Sequence, residues 1–264
     1  MYSFHYQKAN SLADAAAVLS RNADAKLLAG GQSLVASMKL RLINPSDIVD
    51  LSGIRELAGI KLESNAVVIG AMTRHAAVAS SPDVKKAIPA LAALAGGIGD
   101  RMVRNMGTLG GSVANNDPAA DYPAAALALG AAVITDKRKI AADDFFKALF
   151  ETALQPGEII TAVSFPIPKR AAYMKFRNPA SRYALVGVFV ADFGNGVRVA
   201  VTGAGPGVFR VPEMEKALAA KFSPDAIAGI KIPEANLNSD LHAAADYRAH
   251  LITVMAKRAV EAAA

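Results

Sequence analysis

The sequence predicts an α+β protein in two unequal parts, a larger N-terminal one and a smaller C-terminal one. Three observations predict it. Helices and short strands alternate through residues 10–51. A glycine-rich stretch at 96–123 breaks the regular pattern. A proline-rich joint at 166–170 precedes a hairpin and a run of helices. With 264 residues, the chain fits one large or two modest domains. The expected division is 1–170, with subdomains of about 1–57 and 58–170, followed by 171–264.

In order, Ser11 is placed to cap a helix with an apolar stripe of Leu12, Ala15, Ala16 and Leu19. Residues 26–29 read as a short buried strand, 34–42 as a helix stopped by Pro45, and 48–51 as another strand, giving a small α/β unit. Residues 66–70 form a strand ending on glycine. Thr73 can cap a short helix at 74–80, and Pro82 opens an alanine-rich helix toward Ala95 that Pro89 kinks or breaks. The stretch 96–123 reads as loop-rich, with few signs of a long regular element, and a loop-rich segment of that length inside a compact domain is usually functional. Residues 127–134 and 159–165 read as strands around a surface excursion at 143–149. Beyond the joint, 184–193 and 197–202 make a hairpin around Asn195-Gly196, the dipeptide that two-residue turns favour. Helices follow, the last spanning about 239–264, so 171–264 reads as a separate α+β domain.

Composition excludes several function classes. Hydrophobic residues make up 53% and charged residues 20%, which rules out a disordered chain. Cysteine is absent, so the chain has no disulfide, cysteine-held iron–sulfur cluster, cysteine nucleophile or cysteine-tethered flavin. The net charge of +6 is scattered, without the basic clusters and interleaved aromatics of a nucleic-acid surface. No apolar stretch reaches the roughly 20 residues of a membrane-spanning helix, and no secretory signal is visible. A soluble cytoplasmic protein is expected.

Two glycine-rich segments carry the chemistry. Gly30-Gly31-Gln32-Ser33 lies between a strand and a helix, where paired glycines let a ligand approach backbone N–H groups. Taken alone it reads more readily as an ordinary Gly-Gly turn. The second segment, 107–121, offers glycines, the hydroxyls of Thr108 and Ser112, amides and Asp121. Hydroxyls and N–H groups suit phosphate oxygens, and a carboxylate suits sugar hydroxyls. One ligand held by both segments would be a diphosphate-containing dinucleotide. A P-loop is excluded, because no GxxxxGK[ST] occurs. Gly203-Ala204-Gly205-Pro206-Gly207 has the wrong spacing for a Rossmann fingerprint and reads as a turn.

AGGQSL at 29–34 and RNMGTLGGSVANNDPAADYPAAALAL at 104–129 resemble the FAD-binding medium subunit of molybdenum hydroxylases, the group of xanthine dehydrogenases, carbon monoxide dehydrogenases and aldehyde oxidoreductases. The resemblance extends through AYMKFRNPASRYALVGV at 172–188. It implies a two-subdomain FAD-binding fold like that of vanillyl-alcohol oxidase (PCMH type), with a smaller C-terminal α+β domain. It implies that Leu27, Leu28, Ala29, Gly30, Gly31, Gln32, Ser33 and Leu34 line the pyrophosphate. Thr108, Gly110, Gly111, Ser112, Asn115 and Asp121 would supply the second set of FAD contacts. Ile98 would pack near the isoalloxazine, and Lys175 would lie near its polar edge. The implied function is electron transfer. FAD would receive electrons from the [2Fe-2S] clusters of a small partner subunit, which draws them from a molybdenum cofactor on a large subunit. FAD would then pass them to an external acceptor, in a dimer of heterotrimers. No side chain of this chain would be catalytic and none would hold a metal.

Related members often carry a basic residue where Met106 stands and histidine where Asp100 stands. Some relatives hold an iron–sulfur cluster in this subunit, which a chain without cysteine cannot do. His5, His75, His242 and His250 all lie outside the glycine segments, so the FAD is expected to be non-covalent. Arg101 and Arg104 fit a contact with the diphosphate or a neighbouring chain and, equally well, a solvated or structural role. The alternative function is a stand-alone FAD-dependent oxidoreductase of the same superfamily, but such enzymes commonly carry a larger substrate domain than 171–264.

Overall fold

A computed structural model describes residues 1–263. The first unit is a three-stranded parallel sheet of His5–Lys8, Asp47–Asp50 and Lys26–Leu28, in that spatial order. Parallel neighbours need crossovers, and Leu12–Arg21 and Leu34–Lys39 supply them. Ser11 caps the first helix as expected, its Oγ accepting the Asp14 N–H at 3.1 Å. Strand His5–Lys8 carries no signal in the sequence, because all four of its residues are exposed and show no apolar alternation.

The second unit is a five-stranded antiparallel sheet in the order Ile60–Leu62, Ala66–Gly70, Ile160–Pro166, Ala132–Thr135, Lys139–Ala141. Pro89 does break the alanine-rich helix, which becomes Pro82–Ala87 and Pro89–Gly96. Thr73 caps no helix. Its hydroxyl instead accepts the Gly59 N–H at 2.9 Å, and the helix His75–Ser80 starts without a side-chain cap. The stretch 96–123 has no long regular element, as expected, but between its turns it holds short helices, Arg101–Met106, Leu109–Asn115 and the start of Tyr122–Ala128. Each is only one or two turns long, too short to show a 3.6-residue period, and the ends are set by side chains. Asp100 Oδ1 accepts the Val103 N–H at 2.8 Å, and Thr108 Oγ1 accepts the Gly111 N–H at 3.2 Å. Leu127 and Ala128 finish a helix; the strand begins only at Ala132, after Gly130 turns the chain at φ +60°. The expected surface excursion at 143–149 begins on a short helix, Ala142–Phe145, whose Phe145 lies in the main core.

The third sheet is antiparallel, in the order Arg170–Arg177, Ala184–Asp192, Val197–Thr202, Phe209–Arg210. The Asn195-Gly196 hairpin forms, with Phe193 N–H donating to the Gly196 carbonyl. Strand Ala184–Asp192 is buried along its whole length. Side chains alternate across a strand, and here the alternation divides two cores. Val186, Val188 and Val190 pack with Leu251, Ile252 and Met255 of helix Ala245–Ala262, while Phe189 and Ala191 join the core of the second unit. That last helix starts later than expected. Asp240 accepts the His242 and Ala243 N–H groups and folds the preceding residues into a turn. Among the described residues no helix is long and apolar enough to cross a membrane.

Candidate functional site

The two glycine segments, some eighty positions apart in sequence, are pressed together in the fold. A Cβ added at Gly30 would come within 2.6 Å of Gly107 Cα, and one at Gly111 within 3.5 Å of Ala29 Cβ. Their junction opens into a cleft of about 810 Å³, inside the range of small-ligand and cofactor sites. The cleft is walled by the first parallel unit, the second sheet with its short helices, and a corner of the third sheet at Ser181, Arg182 and Tyr183.

Every residue expected to hold the cofactor lines this cleft except Leu28 and Lys175. Leu28 packs beneath the turn, its Cδ1 3.2 Å from where a Gly31 Cβ would stand. Lys175 lies just behind Asp121. Its Nζ donates to Asp121 Oδ2 at 3.0 Å and to the Gly97 carbonyl at 3.0 Å, and lies 2.9 Å from Asp121 Oδ1 as an ion pair. The side chains of both are almost sealed from solvent, at 4% and 5% exposure. Tyr173 also donates its hydroxyl to Asp121. Burial pushes the Asp121 carboxyl above the usual carboxylate range, with Lys175 and Tyr173 pulling the other way.

The four glycines do different work. Gly31 alone has a left-handed backbone, at φ +72°. Gly30 and Gly110 let backbones touch: a Cβ at 110 would lie 2.5 Å from Ala71 Cβ. Gly111 sits in the first turn of Leu109–Asn115, where a Cβ would crowd Thr108 Oγ1 at 2.8 Å. The bridge Arg74↔Thr108, with His75 N–H donating to Gly107 O and Leu109 N–H to Thr73 O, fixes the second segment against the second sheet.

Arg104 is a brace: its Nη1 donates to the Ile98 and Gly99 carbonyls at 2.8 and 3.0 Å. Neither Arg104 nor the exposed Arg101 lines the cleft. Asp100 caps the helix that bears Arg104, and Met106 is half exposed.

Sequence reasoning missed His75 and the hairpin tip at Phe150. His75 is 5% exposed, lines the cleft and packs against Tyr122 with ring centroids 5.4 Å apart. Its Nδ1 and the Tyr122 hydroxyl are buried without hydrogen-bond partners. Burial, helped by the nearby Arg104 charge, pulls the imidazole down to about 4. Phe150, at φ +56°, lines the cleft from a hairpin that Asn116 ties down, its Nδ2 donating to Ala148 O and Glu151 O. No local motif marks either residue. The one available signal for the hairpin was Asn116, a residue type that tolerates the left-handed conformation it adopts at φ 45°. Among the described residues no cluster of His, Cys, Asp and Glu could hold a metal ion.

The family described as "FAD binding domain in molybdopterin dehydrogenase" matches residues 2–168. The glyceraldehyde dehydrogenase medium chain of Sulfolobus acidocaldarius is 35% identical, covering 97% of this chain and 96% of its own length. The carbon monoxide dehydrogenase medium chain of Afipia carboxidovorans is 37% identical over 99% of this chain and 96% of its own. Among solved structures, carbon monoxide dehydrogenase from Hydrogenophaga pseudoflava superposes with a TM-score of 0.89 at 36% identity, covering 99% of this chain and 97% of that one. Quinoline 2-oxidoreductase from Pseudomonas putida 86 gives 0.90 at 29% identity, with the same two shares. The glycine-lined cleft thus sits where an FAD-binding domain is matched, and the chain belongs to the FAD-binding medium-subunit family of the molybdopterin dehydrogenases.

Proposed function

We propose that this chain is the FAD-carrying electron-transfer subunit of a molybdenum hydroxylase, working in the cytoplasm beside a large molybdenum subunit and a small [2Fe-2S] subunit, in a dimer of heterotrimers. The observation that carries the reading is the meeting of two glycine segments across one cleft that also reaches a buried carboxylate–ammonium pair.

The residues fit FAD. Gly31 turns the first segment at positive φ, and the hydroxyl of Ser33 makes no capping bond to the helix it precedes. Thr108 and Ser112 add hydroxyls from the second segment. These groups would take the diphosphate with Leu27–Leu34 as its floor, each bond to a charged oxygen contributing about 1.5–3 kcal/mol. Asn115 and Asp121 would take sugar or ribityl hydroxyls. Ile98 would pack on the ring, and Lys175 would place its charge behind Asp121. When bound, FAD supplies a two-electron store that accepts electrons from an iron–sulfur subunit and releases them to an external acceptor.

The chain has no cysteine, and His75, which lines the cleft from outside both segments, is packed against Tyr122, so FAD is held without a covalent bond. The role of this chain is to position the cofactor, shield it and set its electrostatics. The cleft offers no pair of carboxylates free for acid–base work, because Asp121 is committed to Lys175 and Glu158 to Arg138. That favours electron transfer over a stand-alone oxidoreductase.

The test uses the chain purified free of companions, loaded with FAD and mixed anaerobically with aldehydes, carbon monoxide, purines and other N-heterocycles. No flavin bleaching is expected until the molybdenum and iron–sulfur subunits are added. Rapid bleaching of the isolated chain by any of these substrates would overturn the reading.

A further inference from the structure

Strand Ala184–Asp192 reads ALVGVFVAD, with one glycine among residues that fill a sheet core. A glycine inside a strand weakens it and marks a close approach. Here the close approach is by Tyr173. A Cβ at position 187 would overlap the Tyr173 hydroxyl and lie 3.0 Å from its Cζ. Tyr173 and Lys175 stand two residues apart on strand Arg170–Arg177, paired with Phe189 and Gly187. The strand's period of two puts both on one face, toward Asp121. Met174 and Phe176 between and beside them pack on the opposite core.

The Tyr173 ring stacks on Phe189 at 6.0 Å and 29°, which fixes where its hydroxyl can go. It donates to Asp121, while Lys175 holds both oxygens of the same carboxylate. Asp121 lines the cleft and Tyr173 does not. The terminal torsion of an aspartate is soft, and a lysine on a four-carbon stem can follow a rotating carboxylate. A phenol stacked on Phe189 and seated over Gly187 cannot.

We propose that Tyr173 is a positioning residue of the cofactor site: its hydroxyl fixes the rotation of the Asp121 carboxylate toward the cleft, and Gly187 is glycine so that the tyrosine can reach it. The inference rests on the reading above that Asp121 contacts FAD. It places part of the site's precision in the C-terminal portion, beyond the residues 2–168 that the family match covers.

The experiment is a double-mutant cycle on the full chain, with FAD affinity read by flavin fluorescence and the midpoint potential of the bound flavin measured alongside. Tyr173→Phe keeps the ring and removes one hydrogen bond, so the Kd should rise about 3–10-fold and the midpoint should move. Asp121→Asn should weaken binding further. In the Asn background, Tyr173→Phe should then change Kd less than about twofold, since coupled sites are not additive. Gly187→Ala should weaken FAD binding more in the wild-type background than beside Tyr173→Phe, where the overlapping oxygen is gone. A Tyr173→Phe chain that melts lower but keeps the wild-type Kd and midpoint would reduce the residue to a structural role and overturn the inference. Independent, multiplying effects of the two substitutions would overturn it too. Failure of Asp121→Asn to alter Kd would overturn the contact reading beneath it along with this one.

Discussion

His75 makes the apo-protein acid-labile in a way that can be worked out in advance. The imidazole is buried beside Tyr122 and near Arg104, and its folded value of about 4 lies below the ordinary 6.5. Between those values the unfolded chain binds a proton that the folded chain does not, so stability rises with pH across the window and is lost as pH falls through it. Integrated from pH 7 to about pH 4.5, this one group removes roughly 2–2.5 kcal/mol. In a chain of this size that corresponds to about 5–10 °C in Tm. The assay is denaturant or thermal unfolding of wild type and His75→Leu at a series of pH values. Leucine leaves no partner stranded, because Nδ1 has none. The difference between the two proteins should shift in favour of the leucine variant by that amount on acidification. Parallel stability curves over the whole range would refute the claim that a neutral, desolvated imidazole is built into the cleft wall.

The glycines should separate by mechanism. Gly110→Ala drives a Cβ into Ala71 and should destabilise the apo-chain by about 1–3 kcal/mol, seen as a lower Cm even without FAD. Gly31→Val places a branched residue at φ +72°, with Val35 Cγ2 3.0 Å from the new Cβ, so FAD occupancy should fall sharply after purification. Arg248→Met strips the donors from the Leu185 and Gly203 carbonyls and from Asp240, and should cost on the order of 3 kcal/mol of unfolding free energy by denaturant titration.

The sequence was most legible where chemistry needs an unusual residue and least where short elements are set by single side chains. The two glycine segments could be read because paired glycines stand beside small hydroxyls in both, and every cofactor-contact residue expected in or beside them except Leu28 lines the cleft. The reason for each glycine could not be read. Gly30 and Gly110 serve packing between backbones brought together from distant positions, and only Gly31 takes positive φ. The short helices inside the loop-rich 96–123 stretch went unread because they are set by the caps Asp100 and Thr108 and show no periodicity. Strand Ala184–Asp192 and its hairpin were clear from β-branched residues and Asn195-Gly196, yet its burial on both faces was not, since it depends on which unit covers the second face. His75, Phe150 and Tyr173 reach the site only through tertiary contacts, and no spacing in the chain announces them.

The claim that one non-covalent FAD lies across both glycine segments is tested most directly by the flavin content of the purified chain before and after acid precipitation. Close to one FAD per chain, no FMN, and a colourless pellet with all the yellow in the supernatant are expected. A chain that takes up no FAD, or a pellet that keeps its colour after washing, would contradict it.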